Sequence, residues 1–514
     1  MKNITKYITL SLTALLFTAC NRDEIADVNI NPSFPTAVEP IYLLPNIEAS
    51  MALGIQYDAR YLGKYVQNFS HTSANYIWDQ YGYSVNSDAG GEIWKMAYYT
   101  IGLNLTQAIN GAEKDERYDI VGLSKAIRAW SWQIATDYHS NLIKFDQAFT
   151  SRLTFDYATQ EEAYMEVARL ANEGIADLER TDGKSNASYT AKGDLIYNGD
   201  KSKWIKFAYG ILARNANNLS NKASYDPDKV IGYVDKALSD INDDCYVKFS
   251  GIANSDTNFF GPSRNNLASF RQTDFILHAM DGTVFTAVDP RMANVLSPSA
   301  DGVFRGNPLS TTAGTAAATR IPNFWGTVTS GNSSTAGRYL FRNTADFALM
   351  TYAEMQFIKA EAAFIKGDKA TALDAYKKGI EASIDMVNRN TVVSASAPTA
   401  SLISSAQKMD FLNDPNVVPA AANLTLKHIM MQKYIALFGH GFVETWTDMR
   451  KYHYDPLVYE TLTIPALSIY NNGKLAYRVR PRYNSEYVWN FAALQAIGAD
   501  KQDYHTEEMW FSKP

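Results

Sequence analysis

The sequence predicts a mostly α-helical protein: a scaffold of tetratricopeptide-like helix pairs with a long irregular, loop-rich insertion in the second half. Three observations support this. Apolar residues recur at three- and four-residue steps through most of the chain, strand-type alternation is sparse and short, and one long segment is rich in Gly, Ser, Asn and Thr. The 514 residues are 46% hydrophobic and 20% charged, which is the composition of a globular protein with a large core.

The N-terminus has the features of a cleaved export signal. Two early lysines precede an apolar run at 8–17, which is shorter than the roughly 20 residues that a bilayer span needs. Small residues lead directly into Cys20, an arrangement that resembles a bacterial lipobox. We therefore expect 1–19 to be a signal peptide, Cys20 to be lipidated, and 20–45 to be an extended, proline-containing lead-in. An ordinary secretory signal with a chance cysteine is the alternative.

The clearest helical periodicity lies between 346 and 386. One buried face is formed by Phe347, Met350, Ala353, Phe357, Ala360 and Phe364. A Lys-Gly-Asp sequence at 366–368 supplies a glycine C-cap and then a new helix start, so we expect a close, tetratricopeptide-like helix pair here. The other predicted helices are 47–70, 92–112 (with Trp94 on its core face), 118–139, 160–180, 201–220, 227–240 and 423–439.

Two stretches lack helical periodicity. The first, 245–340, is rich in Gly, Ser, Asn and Thr, and the second covers 391–407. Loops of this length inside a folded protein are usually functional. We interpret both as excursions from one α-helical domain, 46–514, and take 245–340 as the candidate ligand-binding excursion.

Composition excludes several classes of function. The net charge of −6, which becomes −8 (46 − 54) once 1–19 is removed, lacks the basic footprint of a nucleic-acid binder. With only Cys20 and Cys245, the chain has neither a disulfide framework nor a cysteine-rich metal site. The seven histidines show no metal-ligand spacing, and no catalytic motif is present. We therefore expect a protein that is not an enzyme and needs no cofactor, although a glycosidase pair of carboxylates stays open.

Motifs spread over nearly the whole chain resemble those of the SusD/RagB family of nutrient-binding outer-membrane lipoproteins of Bacteroidetes. They are WIKFA at 204–208 with Arg214, DPRM at 289–292, YAEMQ at 352–356 with KAEA at 359–362, YKKGI at 376–380, QKYIALF at 432–438 with ETWTDMR at 444–450, and RPRYN at 480–484 with Glu486 and Asn490. No single motif is decisive. Their order, spacing and joint presence with a lipobox carry the resemblance.

The resemblance implies a function and a partner. A protein of this family is a surface-exposed lipoprotein that captures a nutrient, most often an oligo- or polysaccharide. It delivers the nutrient to a SusC-like TonB-dependent outer-membrane transporter, over which it sits as a lid. The membrane is then contacted through the lipid anchor only, on the outer face of the outer membrane. Two alternatives remain: a lid that binds a peptide or other small nutrient, and a pure protein-interaction scaffold for the barrel.

A sugar site needs flat aromatic faces with polar groups around them, and loops can leave such faces uncovered. Two loops and one weaker candidate meet this requirement. The predicted ligand contacts are Trp78, Tyr81 and Tyr83 in the first loop, Asn323 and Trp325 in the second, and Arg264 as a candidate polar clamp. We predict that Trp325→Ala weakens ligand binding without lowering thermal stability. The alternative is that each ring packs its loop onto the body of the protein.

Overall fold

A computed structural model describes residues 38–84, 86–327, 337–393 and 400–514. The predicted signal peptide, the lipidated Cys20 and most of the predicted lead-in lie outside these residues. At the end of the lead-in, Pro40–Tyr42 forms a 3-10 turn and the first helix begins at Leu44, so the extended segment ends earlier than the predicted boundary of 45.

The described chain is mostly helical, which confirms the predicted fold class. The helices are α1 Leu44–Tyr65, α2 Glu92–Lys95, α3 Gly102–Lys114, α4 Tyr118–His139, α5 Gln160–Glu179, α6 Ala187–Thr190, α7 Lys201–Asn217, α8 Pro227–Val234, α9 Asp274–Met280, α10 Met292–Val295, α11 Tyr352–Lys366, α12 Lys369–Asn390, α13 Ser405–Asn413, α14 Leu426–Leu437, α15 Phe442–Lys451 and α16 Phe491–Ala496. The predicted helix 92–112 is interrupted by a π-helical turn, Met96–Thr100.

Strands are few and short, as predicted. They are β1 Phe69–His71, β2 Leu142–Ile143, β3 Tyr157–Ala158, β4 Cys245–Val247, β5 Phe270–Gln272 and β6 Phe347–Met350. They form three antiparallel pairs, β1 with β5, β2 with β3 and β4 with β6. Two of these pairs join the loop-rich 245–340 segment to the rest of the chain.

The helix pair α11 and α12 forms as the sequence predicted. Gly367 ends α11 in the left-handed conformation at φ 88°, and Asp368 then caps α12 by accepting a hydrogen bond from the Thr371 backbone N–H. The two helices approach closely at Gly379, where a Cβ atom would lie 2.9 Å from the Phe357 ring. The glycine and the alanines of this pair are therefore required by helix packing.

Several charged residues of the family-like motifs are buried in ion pairs. Arg214 on α7 donates to Glu354 on α11 and lies 3.0 Å from Glu444 on α15. Lys433 on α14 lies 2.8 Å from Asp448 on α15. Because an unpaired buried charge is costly, these pairs fix how the helices fit together. These motif residues therefore serve the fold.

The segment 245–340 is irregular where the structure describes it, with short helices α9 and α10 and one isolated bridge between Pro298 and Phe304. It is nevertheless densely packed, and many of its apolar side chains belong to the main core. Across the described ranges, no helix is both long enough and apolar enough to cross a bilayer.

Candidate functional site

The first predicted loop turns its aromatic rings into the protein. Trp78 is 1% exposed and packs against Tyr61, Tyr65 and Tyr83, with ring centroids 4.8, 5.5 and 5.2 Å away. Tyr81 is fully buried, and its hydroxyl donates to the Tyr65 carbonyl. The expectation that these rings lie uncovered is wrong, because α1 supplies a row of tyrosines that covers them.

The second predicted loop is also packed. Trp325 is 2% exposed, and its Nε1 donates to the Phe260 carbonyl at 2.8 Å. The Asn323 side-chain oxygen accepts from the backbone N–H groups of Trp325 and Thr327, which closes a tight turn and aims the indole inward. The expectation of an uncovered Trp325 is therefore wrong, for a reason that lies in long-range packing.

Arg264 is half-buried at the surface, where its Nη1 donates to the Asn254 carbonyl at 2.7 Å. Its guanidinium also lies 5.6 Å from the Phe259 ring centroid. The ring of Phe259 is in turn 5.8 Å from that of Tyr57 on α1. Arg264 and the Trp78 loop therefore both lie beside α1, close to each other along that helix.

The aromatic groups that reach solvent in this region come from α1 and the loop after it. Tyr57, Arg60 and Tyr61 share one helix face, since residues three and four apart are neighbours on a helix. Tyr57 is 36% exposed, and Tyr61 is half-buried over Trp78. His71 and Tyr76 follow, with stacked rings 4.2 Å apart. We call these five residues the α1 aromatic surface.

Arg60 is the free cation of this surface. Its guanidinium lies 3.9 Å from the Tyr57 ring centroid. Within the described ranges its only hydrogen bond runs from Nε to the Tyr57 carbonyl, and it forms no ion pair. Its terminal N–H groups are therefore available to an acceptor from outside the protein.

His71 is neutral at physiological pH. Burial, together with the positive charges of Lys64 and Arg271, lowers its pKa to about 4. Its Nδ1 accepts a hydrogen bond from the Ser73 backbone N–H at 3.0 Å, so the proton resides on Nε2. Partial burial also raises the pKa of Tyr76 to about 12, so its hydroxyl is neutral as well.

The α1 aromatic surface thus combines ring faces with uncharged and cationic hydrogen-bond donors. This combination suits a sugar, whose ring has apolar C–H faces and a polar rim. No group of three or more His, Cys, Asp or Glu side chains that could hold a metal occurs in the part of the chain that the structure describes. Sequence reasoning missed Tyr57, Arg60 and Tyr61 because they lie on a helix whose other residues form the core.

A concave region lies elsewhere, at Trp94. This residue is 2% exposed, as expected for the core, but one side of its ring lines a cavity of about 530 Å³, which we call the Trp94 cavity. The lining residues are Trp94, Lys95, Tyr98, Tyr99, Leu103, Ile143, Ala148, Phe149, Thr150, Phe155, Arg482, Ser485 and Glu486. The volume falls within the roughly 300–1,000 Å³ that ligand sites occupy.

Comparison with known proteins gives the relationship of the chain. Residues 32–481 match the SusD-like family that is described as starch-binding associating with outer membrane. No curated protein is similar enough in sequence to match the chain.

Solved structures share the fold. A SusD/RagB family protein from Bacteroides thetaiotaomicron is 21% identical with a TM-score of 0.68, over 93% of this chain and 99% of that one. A chitin-binding protein is 20% identical with a TM-score of 0.70, over 93% and 100%. A chitin-binding SusD homologue from Flavobacterium johnsoniae is 18% identical with a TM-score of 0.65, over 92% and 97%.

The predicted family resemblance is thereby confirmed. The family match covers most of the chain, and the structural likeness extends over nearly the full length of each neighbour. The chain belongs to the SusD-like family of outer-membrane-associated proteins.

Proposed function

We propose that this chain captures an oligo- or polysaccharide on the α1 aromatic surface and delivers it to an outer-membrane transporter. One observation carries the proposal: the partly exposed rings of Tyr57 and Tyr61 flank Arg60, whose terminal N–H groups have no protein partner within the described ranges. A sugar stacked on these rings would place its hydroxyls within reach of the guanidinium.

The α1 aromatic surface offers hydrogen-bond donors to a neutral glycan. His71 is uncharged at neutral pH, so Arg60 is the one cation among the five residues of the α1 aromatic surface. A neutral glycan needs donors and acceptors, and hydrogen bonds to a charged donor are the stronger kind. The chitin-binding names of two structural neighbours and the starch-binding description of the family support a glycan ahead of a peptide.

The partner and the membrane attachment are part of the same proposal. We infer that a SusC-like TonB-dependent transporter receives the glycan, and that lipidation at Cys20 holds the protein on the outer face of the outer membrane. The family description, which names association with the outer membrane, supports this location. Binding without catalysis is the activity proposed for the single domain 46–514.

The six residues predicted from sequence take a revised role in this proposal. Tyr61 rests on Trp78, which in turn packs against Tyr83, and Tyr81 stacks on Tyr65. Arg264 lies at one end of the surface, beside Phe259. Asn323 and Trp325 hold the neighbouring loop against Phe260. Five of the six residues would therefore support the binding surface from beneath, and Arg264 is the one that can reach a ligand.

Affinity electrophoresis tests the proposal. The mature chain without its lipidated cysteine is run through gels that contain starch, soluble chitin derivatives or other polysaccharides. Retardation by one glycan is expected, with no release of reducing sugar during incubation. Tyr61→Ala and Arg60→Gln should each weaken binding about fivefold, since an aromatic or charge-assisted contact contributes about 1 kcal/mol.

Tyr233→Ala is the matched control, because Tyr233 is a half-buried tyrosine on α8 whose ring packs on Tyr209. It should leave retardation unchanged. Retardation that survives both surface variants would remove the α1 aromatic surface from the site. Heat of binding with peptides, in the absence of any glycan signal, would assign the protein to peptide uptake. Failure to co-purify with a TonB-dependent barrel, identified by mass spectrometry, would contradict the transporter partnership.

A further inference from the structure

The walls of the Trp94 cavity are apolar because the polar ends of their aromatic side chains are already bonded. Trp94 Nε1 donates to Glu486 at 3.2 Å, and the Tyr98 hydroxyl accepts from the Ile143 backbone N–H at 2.7 Å. The rings of both residues, whose centroids are 4.8 Å apart, are what they contribute to the wall. With Phe149, Phe155 and the aliphatic lining residues, they leave the cavity few groups that could bond a polar ligand.

Phe149 is held in the wall at a conformational cost. Its backbone is left-handed at φ 64°, which is rare for a bulky residue. Its ring approaches α3 so closely that a Cβ atom at Gly102 would lie 2.7 Å from it. On another side, the Arg128 guanidinium lies 4.7 Å from the ring centroid. The ring is thus fixed in position before any ligand arrives.

The cations of the cavity lining are paired within the protein, and its carboxylate is hydrogen-bonded. Lys95 lies 3.0 Å from Glu92, and Arg482 is paired with Asp88. Glu486 accepts hydrogen bonds from Trp94, Tyr157 and Asn490. An anionic ligand would therefore find no unpaired cation among these groups, and the carboxylate oxygens of Glu486 are already occupied by three donors.

One buried polar atom of the lining lacks a hydrogen-bond partner in the described chain. The Oγ of Ser485 is buried, and it makes no hydrogen bond among the residues that the structure describes. A buried hydroxyl without a partner is unfavourable, so a ligand that offers one hydrogen bond at this point would be favoured. Tyr99 and Leu103, which are 66% and 42% exposed, belong to the lining, so the cavity is open to solvent on their side.

We propose that the Trp94 cavity binds an uncharged monocyclic aromatic group that carries one hydrogen-bonding substituent, as a phenol does. The ring would pack against Trp94, Tyr98 and Phe149 in the offset or edge-to-face geometries that aromatic pairs prefer. Its substituent would bond the Ser485 hydroxyl. A sugar is disfavoured here because most of its hydroxyls would lose water and find no partner. This site is separate from the α1 aromatic surface and does not depend on the glycan proposal.

The test uses 4-methylphenol and 4-methylcyclohexanol, which match in size and hydroxyl group but differ in aromaticity. Titration of the mature chain is followed by calorimetry and by ligand-observed NMR. Saturable binding of 4-methylphenol is expected, with the alicyclic alcohol at least about fivefold weaker because it lacks the aromatic contacts. Absence of saturable 4-methylphenol binding, or equal binding of the two alcohols, would overturn the assignment.

Four variants locate the binding. Ser485→Ala should weaken 4-methylphenol binding about threefold or more, while Ser124→Ala, which removes a buried partnerless hydroxyl on α4 outside the cavity lining, should not. Ala148→Phe fills the cavity and should abolish binding. If that variant does not fold, Leu103→Trp narrows the cavity from its solvent-exposed side instead. Undiminished binding in a folded cavity-filling or cavity-narrowing variant, or an equal loss in Ser124→Ala, would place the aromatic group elsewhere and overturn the proposal.

Discussion

The α1 aromatic surface and the Trp94 cavity are built from similar aromatic side chains but differ in their unused polar groups. On the surface, the terminal N–H groups of Arg60 have no partner in the described chain. In the cavity, the polar ends of Trp94 and Tyr98 are bonded to the protein, and the buried hydroxyl of Ser485 has no partner among the described residues. Aromatic content therefore does not define the ligand. The polar atoms left over around the rings decide between a sugar and an apolar ring.

The two regions are joined beneath the surface. Asp58, between Tyr57 and Tyr61 on α1, faces inward and accepts a hydrogen bond from the Ile93 backbone N–H at 2.8 Å. Ile93 immediately precedes Trp94, whose ring lines the cavity. A change at this link should therefore act on both regions, whereas a change in an exposed ring should act on one.

The largest effect separates buried aromatic residues from exposed ones. Trp325→Ala should destabilise the protein by about 3–5 kcal/mol, because it leaves a cavity in the core and removes the donor from the Phe260 carbonyl. Urea unfolding measures this loss, with Tyr57→Ala as the control that should cost far less. Unchanged stability with lost glycan binding would instead support the interpretation of Trp325 as a ligand contact.

A pH-dependent effect comes from Asp58. Burial raises its pKa from 3.8 to about 8. Between about pH 4 and pH 8 the Asp58 carboxyl is therefore protonated in the folded protein and ionised in the unfolded chain. Asp58 thus makes the free energy of unfolding fall as pH rises through this window. Asp58→Asn removes the titration. The stability of the variant relative to the wild type should rise by at most about 1.4 kcal/mol per pH unit.

Unfolding at pH 5.5, 6.5 and 7.5 gives this difference directly. Other buried carboxyl groups, such as Asp137, contribute to both proteins and cancel in the comparison. A difference that stays constant over the range would show that Asp58 is ionised in the folded protein.

The helical scaffold could be predicted because its signals are local. Gly367 and Asp368 mark the boundary between α11 and α12 in the sequence, and the structure places the boundary there. Helix ends without such a signal were predicted less accurately. The segment predicted to be helical over 227–240 is helical only over Pro227–Val234. Cooperative helix geometry makes the presence of a helix easier to predict than its ends.

The site could be predicted only in part, because exposure is a long-range property. Trp78 and Trp325 lie in polar, Gly-rich sequence, yet partners distant in the chain bury both rings. Tyr57 and Arg60 lie in a helix with an apolar face, and only the packing of α1 shows which of its faces reaches solvent. The local sequence pointed to the Trp78 loop, and not to the neighbouring side chains of α1 that reach solvent.

A smaller effect is expected from the loop between the two regions. Gly90 is left-handed at φ 77°, and a Cβ atom would lie 3.1 Å from the Trp78 ring and 3.0 Å from Val479. Gly90→Ala should therefore cost about 1–2 kcal/mol of stability, mainly through backbone strain. The same variant should weaken both glycan and 4-methylphenol binding if the loop couples the two regions. Weakening of only one ligand would show that they are independent.

The smallest expected effects give the sharpest comparison, because they come from two exposed tyrosines, one in each region. Tyr57 is 36% exposed on the α1 aromatic surface, and Tyr99 is 66% exposed beside the Trp94 cavity. Tyr57→Ala should weaken, by about fivefold, the binding of the glycan that retards the wild-type chain, and it should leave 4-methylphenol binding unaffected. Tyr99→Ala should weaken 4-methylphenol binding to a similar or smaller extent and leave glycan binding unaffected. Both variants should keep their melting temperature, because neither ring belongs to the buried core. If each variant weakened both ligands equally, the two regions would form one extended site, and the number of unused polar groups would no longer explain which ligand binds where.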